Sequence, residues 1–533
     1  MGYEVVLKHV SPQIDRLSLY VTVFASGLVT LAIELSASRL LGSVFGTSNL
    51  VWANIIGLIL LYLTAGYFIG GRWADRSPYP ATLFRILLWA SFLCALIPLI
   101  ARPVLQAAAQ AVVAAQAGTA IGSFVVTLGL FSVPITLLGC VSPFAIRLAV
   151  TDPNDAGRVS GTIYAISTLG SLVGTFLPTL VLLGAIGTTA TFLVLAGSLW
   201  LIALILLVRV SGRRALRWAW MPLPVAALLL LVTGPLRAAP EGFTLLDERE
   251  SAYNYIQVLE NPAGFRSLAL NEGQGVHSIY HPTILRYNGT WDYFLTAPFF
   301  VPDTRPSDVR SLVVIGLAAG TIPRQYQHVF GDIRMVGFEI DPEIIAVGEV
   351  YFGMSADELP SLEAIAEDGR PGLRALSGTF DVIALDAYRP PYLPWQLTTV
   401  EFFREVRAKL TDRGVVALNV GRTSTDRRLV DAFSNVLRQV FPSVHAIDVP
   451  RSFNTILYAT VMPTHEADLR ANAANLPNDV PALLRDVLEA SLDALAPVTP
   501  SDVVFTDDRA PVEALFDSLV LNFLLSNDLD ALQ

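Results

Sequence analysis

The sequence predicts a bundle of transmembrane helices joined to an α/β domain built on a doubly wound parallel sheet. Three observations predict this. Of the 533 residues, 53% are hydrophobic and only 15% charged, against about 25% charged in soluble domains, and the long apolar runs all precede Arg237. After Arg237, strand-like runs alternate with helical patterns, the signature of a parallel sheet. Three acids, Glu339, Asp368 and Asp386, close successive predicted strands, where open α/β sheets bind their ligands.

Apolar runs of about 20 residues span a bilayer as helices. Seven are read: residues 18–42, 50–71, 82–101, 120–148, 160–183, 188–208 and 218–234. The stretch 103–118, "PVLQAAAQAVVAAQAG", carries three glutamines and reads as an interfacial or partly buried helix. Basic loop residues set orientation. Arg72 and Arg76, Arg147 and Arg158, and Arg209, Arg213, Arg214 and Arg217 fall in alternate loops. They place the N-terminus in the cytoplasm, in a multi-pass protein of the plasma or inner membrane with lipids as neighbours. Seven spans would put the second half outside. Glu34 lies in the first span with Arg39 five residues on. Intramembrane charges are functional candidates, and a structural pair is the other reading. "GGRWADR" (70–76) resembles a loop of major-facilitator transporters, a fold that needs more spans.

The net charge of −10 and the lack of any basic run longer than Arg213-Arg214 argue against nucleic acid as a partner. Cys94 and Cys140 fall in apolar helices, so neither a disulfide framework nor a metal site is expected. "MGYEVVLKHVSPQIDR" has no signal-peptide cleavage pattern.

The predicted domains are a transmembrane domain (1–237), a small β-rich lead-in (238–310), an α/β catalytic domain (311–465) and a C-terminal helical extension (466–533). In the lead-in, "DERESAYNYIQVLENPAGFRSLALNEGQGVHSIY" (247–280) reads as strands cut by turns. "SLVVIG" from 311 is all apolar, as in a strand buried on both faces. A helix follows over 321–330, then the strand "RMVGFEI" and a helix opened by Pro342. "LEAIAEDG", "TFDVIALD" and "GVVALNV" are the third to fifth strands and "TILYATVM" a late one, with helices at "TTVEFFREVRAKL" and "TDRRLVDAFSNVLRQVF".

The candidate site follows. "GLAAG" (316–320) is a small-residue turn in which Gly316, Ala318 and Gly320 let a ligand approach the backbone. Glu339, about 20 residues on, stands where such folds bind ribose hydroxyls. Asp368 and Gly369 follow the third strand, a pairing that resembles the Rossmann-like S-adenosylmethionine fold. Asp386 ends the fourth strand in "FDVIALDAYRPPYLP" (380–394). Prolines stiffen the loop beyond it, with Tyr388 and Tyr392 expected to wall the site.

Residues of about 250–463 resemble spermidine synthase, a polyamine aminopropyltransferase, in "SAYNYIQV", "YFLTAPF", "VVIGLAAGT", "FEIDP", "EDG", "FDVIALDAY" and "GVVALNV". The whole chain resembles membrane-fused members of that group, through "LNEGQGVHS", "WDYF", "DAYRPPYLP" and "FTDDRAPVEALF". The resemblance implies that Glu339 binds ribose, that Asp368 and Gly369 meet adenine, and that Asp386 accepts the proton of an attacking amine beside Tyr388. It sets Asn254 where relatives have a cofactor-contacting glutamine, and Tyr293, Arg389, Tyr392 and Gln274 in the substrate pocket. It implies S-adenosylmethionine or its decarboxylated form as co-substrate, methylthioadenosine as product, a small amine as partner and no metal, and it leaves a homo-oligomer open. The cytosolic origin of that donor conflicts with an external second half.

Three departures stand out. Ala319 replaces the aspartate that grips the aminopropyl amine, Arg389 replaces a second aspartate, and Phe294 replaces a Gln or His. An opposed pair of charges is worth about 4 kcal/mol at 4 Å and an effective dielectric near 20. Losing acids disfavours dicationic acceptors, and an arginine welcomes the carboxylate of intact S-adenosylmethionine. Four functions therefore compete: alkyl transfer to an amine, a lyase or cyclase releasing methylthioadenosine without an amine, a methyltransferase, and a transporter or nucleoside sensor. The acids of "FTDDRAPVEALF" (505–516) either approach the pocket or cap a helix.

Overall fold

The computed structural model describes residues 14–45, 49–115, 119–231, 239–271, 275–388, 393–516 and 518–519. The chain divides into two compact units, Met1–Ala238 and Ala239–Gln533.

The first unit is helical: α1 (Arg16–Phe45), α2 (Asn49–Arg76), α3 (Pro80–Ala115), α4 (Thr119–Gly139), α5 (Val141–Ala149), α6 (Ala156–Leu177), α7 (Leu183–Ser211) and α8 (Pro222–Leu231). Glycines set its closest approaches. A Cβ on Gly170 or Gly174 of α6 would lie 2.1 or 2.0 Å from the Phe24 or Leu28 carbonyl oxygen of α1. Gly66 of α2 sits in the same way against the Thr136 carbonyl of α4. Leu60, Leu61, Phe68, Leu172 and Phe176 point outward, as side chains facing lipid do.

Among the described residues, five helical stretches are long and apolar enough to cross a membrane: Arg16–Gly42, Val51–Arg76, Pro80–Leu105, Gly122–Ala149 and Pro153–Leu231. The last, of 79 residues, is far longer than the roughly 20 residues one crossing needs. It holds the expected fifth and sixth spans as α6 and α7, divided at Gly187 by a non-helical φ 73° and ψ 175°. The expected seventh corresponds to α8, described over ten residues. The stretch expected as an interfacial or partly buried helix is helical and continuous with α3, which runs to Ala115. Pro98 and Pro103 lie inside α3 without ending it.

The second unit opens with an antiparallel sheet ordered β1-β2-β3-β4 (Thr244–Glu250, Tyr255–Glu260, Arg266–Leu270, Val276–Tyr280). There follow α9 (Thr290–Tyr293), β5 (Ser311–Ile315), α10 (Thr321–Phe330), β6 (Arg334–Glu339), α11 (Pro342–Tyr351), β7 (Leu362–Ala366), α12 (Gly369–Ala375), β8 (Phe380–Leu385), α13 (Val400–Ala408), β9 (Leu410–Gly421), α14 (Arg428–Arg438), β10 (Ser443–Asp448), β11 (Asn454–Thr460), α15 (Glu466–Ala474), α16 (Ala482–Asp493) and β12 (Leu495–Ala496).

Strands β5 to β12 form one eight-stranded sheet in the order β12-β10-β11-β9-β8-β5-β6-β7. It is parallel from β7 to β9 and antiparallel beyond. The order reverses between β5 and β8, which opens a crevice at their carboxyl ends. Both faces are covered, which explains the all-apolar strands. One face packs Phe402, Phe403, Leu429, Phe433, Phe505 and Phe516. The other packs Phe294, Phe299, Tyr326, Leu469 and Leu484. The segment beyond residue 466 thus covers both faces of the sheet. The small sheet lays Ile256, Val258 and Leu268 on Ala319, Ile344 and Val347.

Candidate active site

The turn after β5 brings the site together. Gly316 has φ +84°, and a Cβ there would lie 2.7 Å from the Asp386 backbone. The Asp386 amide donates to the Ile315 carbonyl at 2.9 Å. Turn and acid are therefore in direct contact. Ala318, at φ +47°, donates its amide to Glu339 Oε2 at 3.0 Å. The Asp341 amide donates to Glu339 Oε1 at 3.2 Å. Gly320 has φ +81°, and a Cβ there would meet Met354 Sδ at 2.7 Å.

Glu339 ends β6 and is buried. Desolvation pushes its carboxyl up to about 7, against the pull of the backbone amides. Each carboxylate oxygen takes one amide and keeps a lone pair, the capacity a vicinal diol requires. Asp368 caps α12 through the Arg370 amide at 3.0 Å, and its other oxygen has Gln396 Nε2 at 3.4 Å. Gly369 sits against Ile315, 2.3 Å from where a Cβ would stand. Three strand ends thus converge on one crevice.

Asp386 lies just past β8. Asn419 Nδ2, on β9, donates to its Oδ1 at 2.9 Å. Burial pushes the Asp386 carboxyl up to about 6, and the Asn419 bond opposes this. Asn419 Oδ1 is buried without a hydrogen-bond partner, an unused acceptor beside the carboxyl. A base near neutrality with a free acceptor next to it suits proton transfer from an amine.

Tyr388 requires correction. Its ring packs on Phe433 with centroids 5.2 Å apart, and its hydroxyl donates to the Leu397 carbonyl at 2.7 Å. The side chain belongs to the core beneath the loop, not to a wall of the site. Asn254 is committed as well: Nδ2 donates to Asp341 Oδ2 at 2.8 Å, and Oδ1 accepts from Asn271 Nδ2 at 2.8 Å. Ser251 Oγ also donates to Asp341, at 2.5 Å. Asn254 thus braces the loop after Glu339 from behind. Tyr293 is 6% exposed, in the core of the opposite face. Arg389, Tyr392 and Gln274 lie outside the described residues.

Sequence reading missed Asn419, although a lone amide closing the apolar run "VVAL" was a visible signal. It also missed Asp292, buried and accepting from the Asn288 amide at 2.8 Å and Gln325 Nε2 at 2.6 Å. The "FTDDR" turn is now placed. Asp507 binds Arg370 Nη1 and Nη2 at 2.8 Å each and accepts from Thr399 Oγ1 at 2.6 Å. Glu405 holds the same guanidinium, and Arg370 Nη1 also donates to the Gln396 carbonyl at 2.9 Å. The turn therefore ties α12, which Asp368 caps, to the segment that leads into α13. Among the described residues, no His, Cys, Asp and Glu cluster suits a metal ion.

Residues 302–470 match the spermine/spermidine synthase domain family. The chain is 28% identical over 284 residues to a probable polyamine aminopropyl transferase of Bifidobacterium longum, covering 50% of this chain and 61% of that protein. It is 27% identical over 254 residues to a polyamine aminopropyltransferase of Vibrio vulnificus, covering 45% and 80%. It is 28% identical over 190 residues to an eEF1A lysine and N-terminal methyltransferase of Xenopus laevis, covering 33% and 27%. The match thus spans less than two thirds of the first relative's length. The C-terminal half of this chain carries a spermine/spermidine synthase domain.

Proposed function

We propose that the protein is a membrane-bound, multi-pass transferase that moves the alkyl chain of an S-adenosylmethionine-type sulfonium onto a small amine. Glu339 and Asp368 would hold the nucleoside, which fits their free lone pairs. The amine nitrogen bonds to the carbon beside sulfur, the carbon–sulfur bond breaks, methylthioadenosine leaves, and Asp386 takes the nitrogen's proton. The observation that carries this reading is the Asp386–Asn419 pair beside the Gly316 turn. It is a carboxyl raised to about 6 in contact with the backbone of a nucleoside-type turn. The donor is made in the cytosol, so the reading sets the catalytic unit on the cytoplasmic side.

Ala319 favours a second reading. It is 1% exposed, its amide donates to Ser278 Oγ at 2.9 Å, and its methyl cannot hold an ammonium. Release of methylthioadenosine from intact S-adenosylmethionine without an acceptor needs no such grip. The test is product analysis of full-length protein in detergent with intact or decarboxylated donor, with and without putrescine. Amine-dependent methylthioadenosine supports transfer. Amine-independent release supports the lyase, and adenosylhomocysteine would replace both with methyl transfer.

A further inference from the structure

Glu34 lies deep in α1 and is 8% exposed. Among the described residues it has neither a hydrogen bond nor an ion pair. A charged side chain at the centre of a transmembrane helix costs about 2.5–3.5 kcal/mol on insertion scales, and such residues usually serve an ion path or a ligand. Two further features lie on the helix beside it. Glu34 is seven residues from Gly27, which places both on one face of α1, and Gly27 abuts the Ser167 carbonyl of α6. Farther along α6, Gly174 presses on the Leu28 carbonyl. Four residues later comes Pro178, which has no N–H to give the Gly174 carbonyl. There the helix widens into a π-helical turn, Pro178–Leu182, which also meets α1. Such widened turns recur at functional sites. Backbone carbonyls at an irregular helical turn, together with an intramembrane carboxylate, are oxygen ligands that membrane proteins offer to cations.

We infer that Glu34 and the Pro178–Leu182 turn form an intramembrane site for a monovalent cation, so the bundle binds a cation and is not only an anchor. This rests on the reading that the bundle spans a membrane. An alkali ion and a protonated amine share the required chemistry, one positive charge that accepts oxygen ligands.

The test uses full-length protein in liposomes and dicyclohexylcarbodiimide, an apolar reagent for protonated carboxyls, with the label mapped by peptide mass spectrometry. Glu34 is expected to take the label. Excess sodium or excess methylammonium is expected to cut that labelling several-fold relative to choline at equal ionic strength. Protection by sodium identifies an alkali-ion site, and protection by methylammonium an amine site. An unlabelled Glu34, or labelling equal in all three salts, overturns the inference. Pro178→Ala restores the missing N–H and is expected to abolish protection while labelling and methylthioadenosine binding persist. Unchanged protection in that variant would remove the π-turn from the site. Protein recovered from the aqueous phase would instead refute the membrane reading itself.

Discussion

At the scale of the residue, the proposed chemistry turns on two carboxyls raised by burial. Asp386→Asn is expected to lower kcat about 10²–10⁴-fold, the usual worth of a general base, with little change in nucleoside affinity measured by calorimetry. The base must be ionised, so the rate should fall as pH drops through about 6. Asn419→Ala removes the hydrogen bond that opposes this shift, so the acid limb of the pH–rate profile should move upward. Stability runs the other way. A carboxyl whose pKa rises on folding contributes stability below its unfolded value and loses it as pH rises through the folded one. The unliganded protein should therefore melt at lower temperature as pH climbs from 5 to 8. Glu339→Gln and Asp386→Asn should each recover about 1–3 kcal/mol at the upper end, read by thermal unfolding. The strand-end positions of Glu339 and Asp386 were legible because each acid closes an apolar run. Tyr388 misled because its direction depends on how the chain bends after β8, which no local pattern encodes.

At the scale of the element, the glycine turn and the Asp507 clamp are the parts most exposed to substitution. Gly316→Ala combines a positive φ with a 2.7 Å clash against backbone, so loss of nucleoside binding is expected, read by calorimetry. Asp507→Asn breaks a two-pronged bond to Arg370, whose side chain is 8% exposed. Hydrogen bonds between charged groups are worth about 1.5–3 kcal/mol each, and the lower end applies to a half-exposed acid. Methylthioadenosine affinity should drop with that loss while the acceptor KM holds. Strands β5 to β9 were readable because each is a run of apolar residues flanked by turns. Strand β10, "SVHAID", was missed because it mixes polar and apolar residues. It owes its place to β11, with Thr455 Oγ1 donating to Asp448 at 2.6 Å.

At the scale of the whole molecule, the join near residue 238 divides two kinds of chemistry, and composition alone exposed it. The break between the fifth and sixth expected spans was legible as well, since the apolar run there exceeds one crossing and Gly187 takes the non-helical conformation that divides it. If the apolar exterior of the first unit faces lipid, the protein should stay in membranes through alkaline carbonate washing and come out only with detergent. A reporter fused at Ala239 should be active only in its cytoplasmic form. The Asp507 clamp also bears on the order of manufacture. Every helix able to enter the bilayer leaves the ribosome hundreds of residues before Asp507 does. A nascent chain therefore commits to its membrane long before the last support for its nucleoside loops exists, and a chain halted short of that turn would be lodged in place yet unfinished as a catalyst.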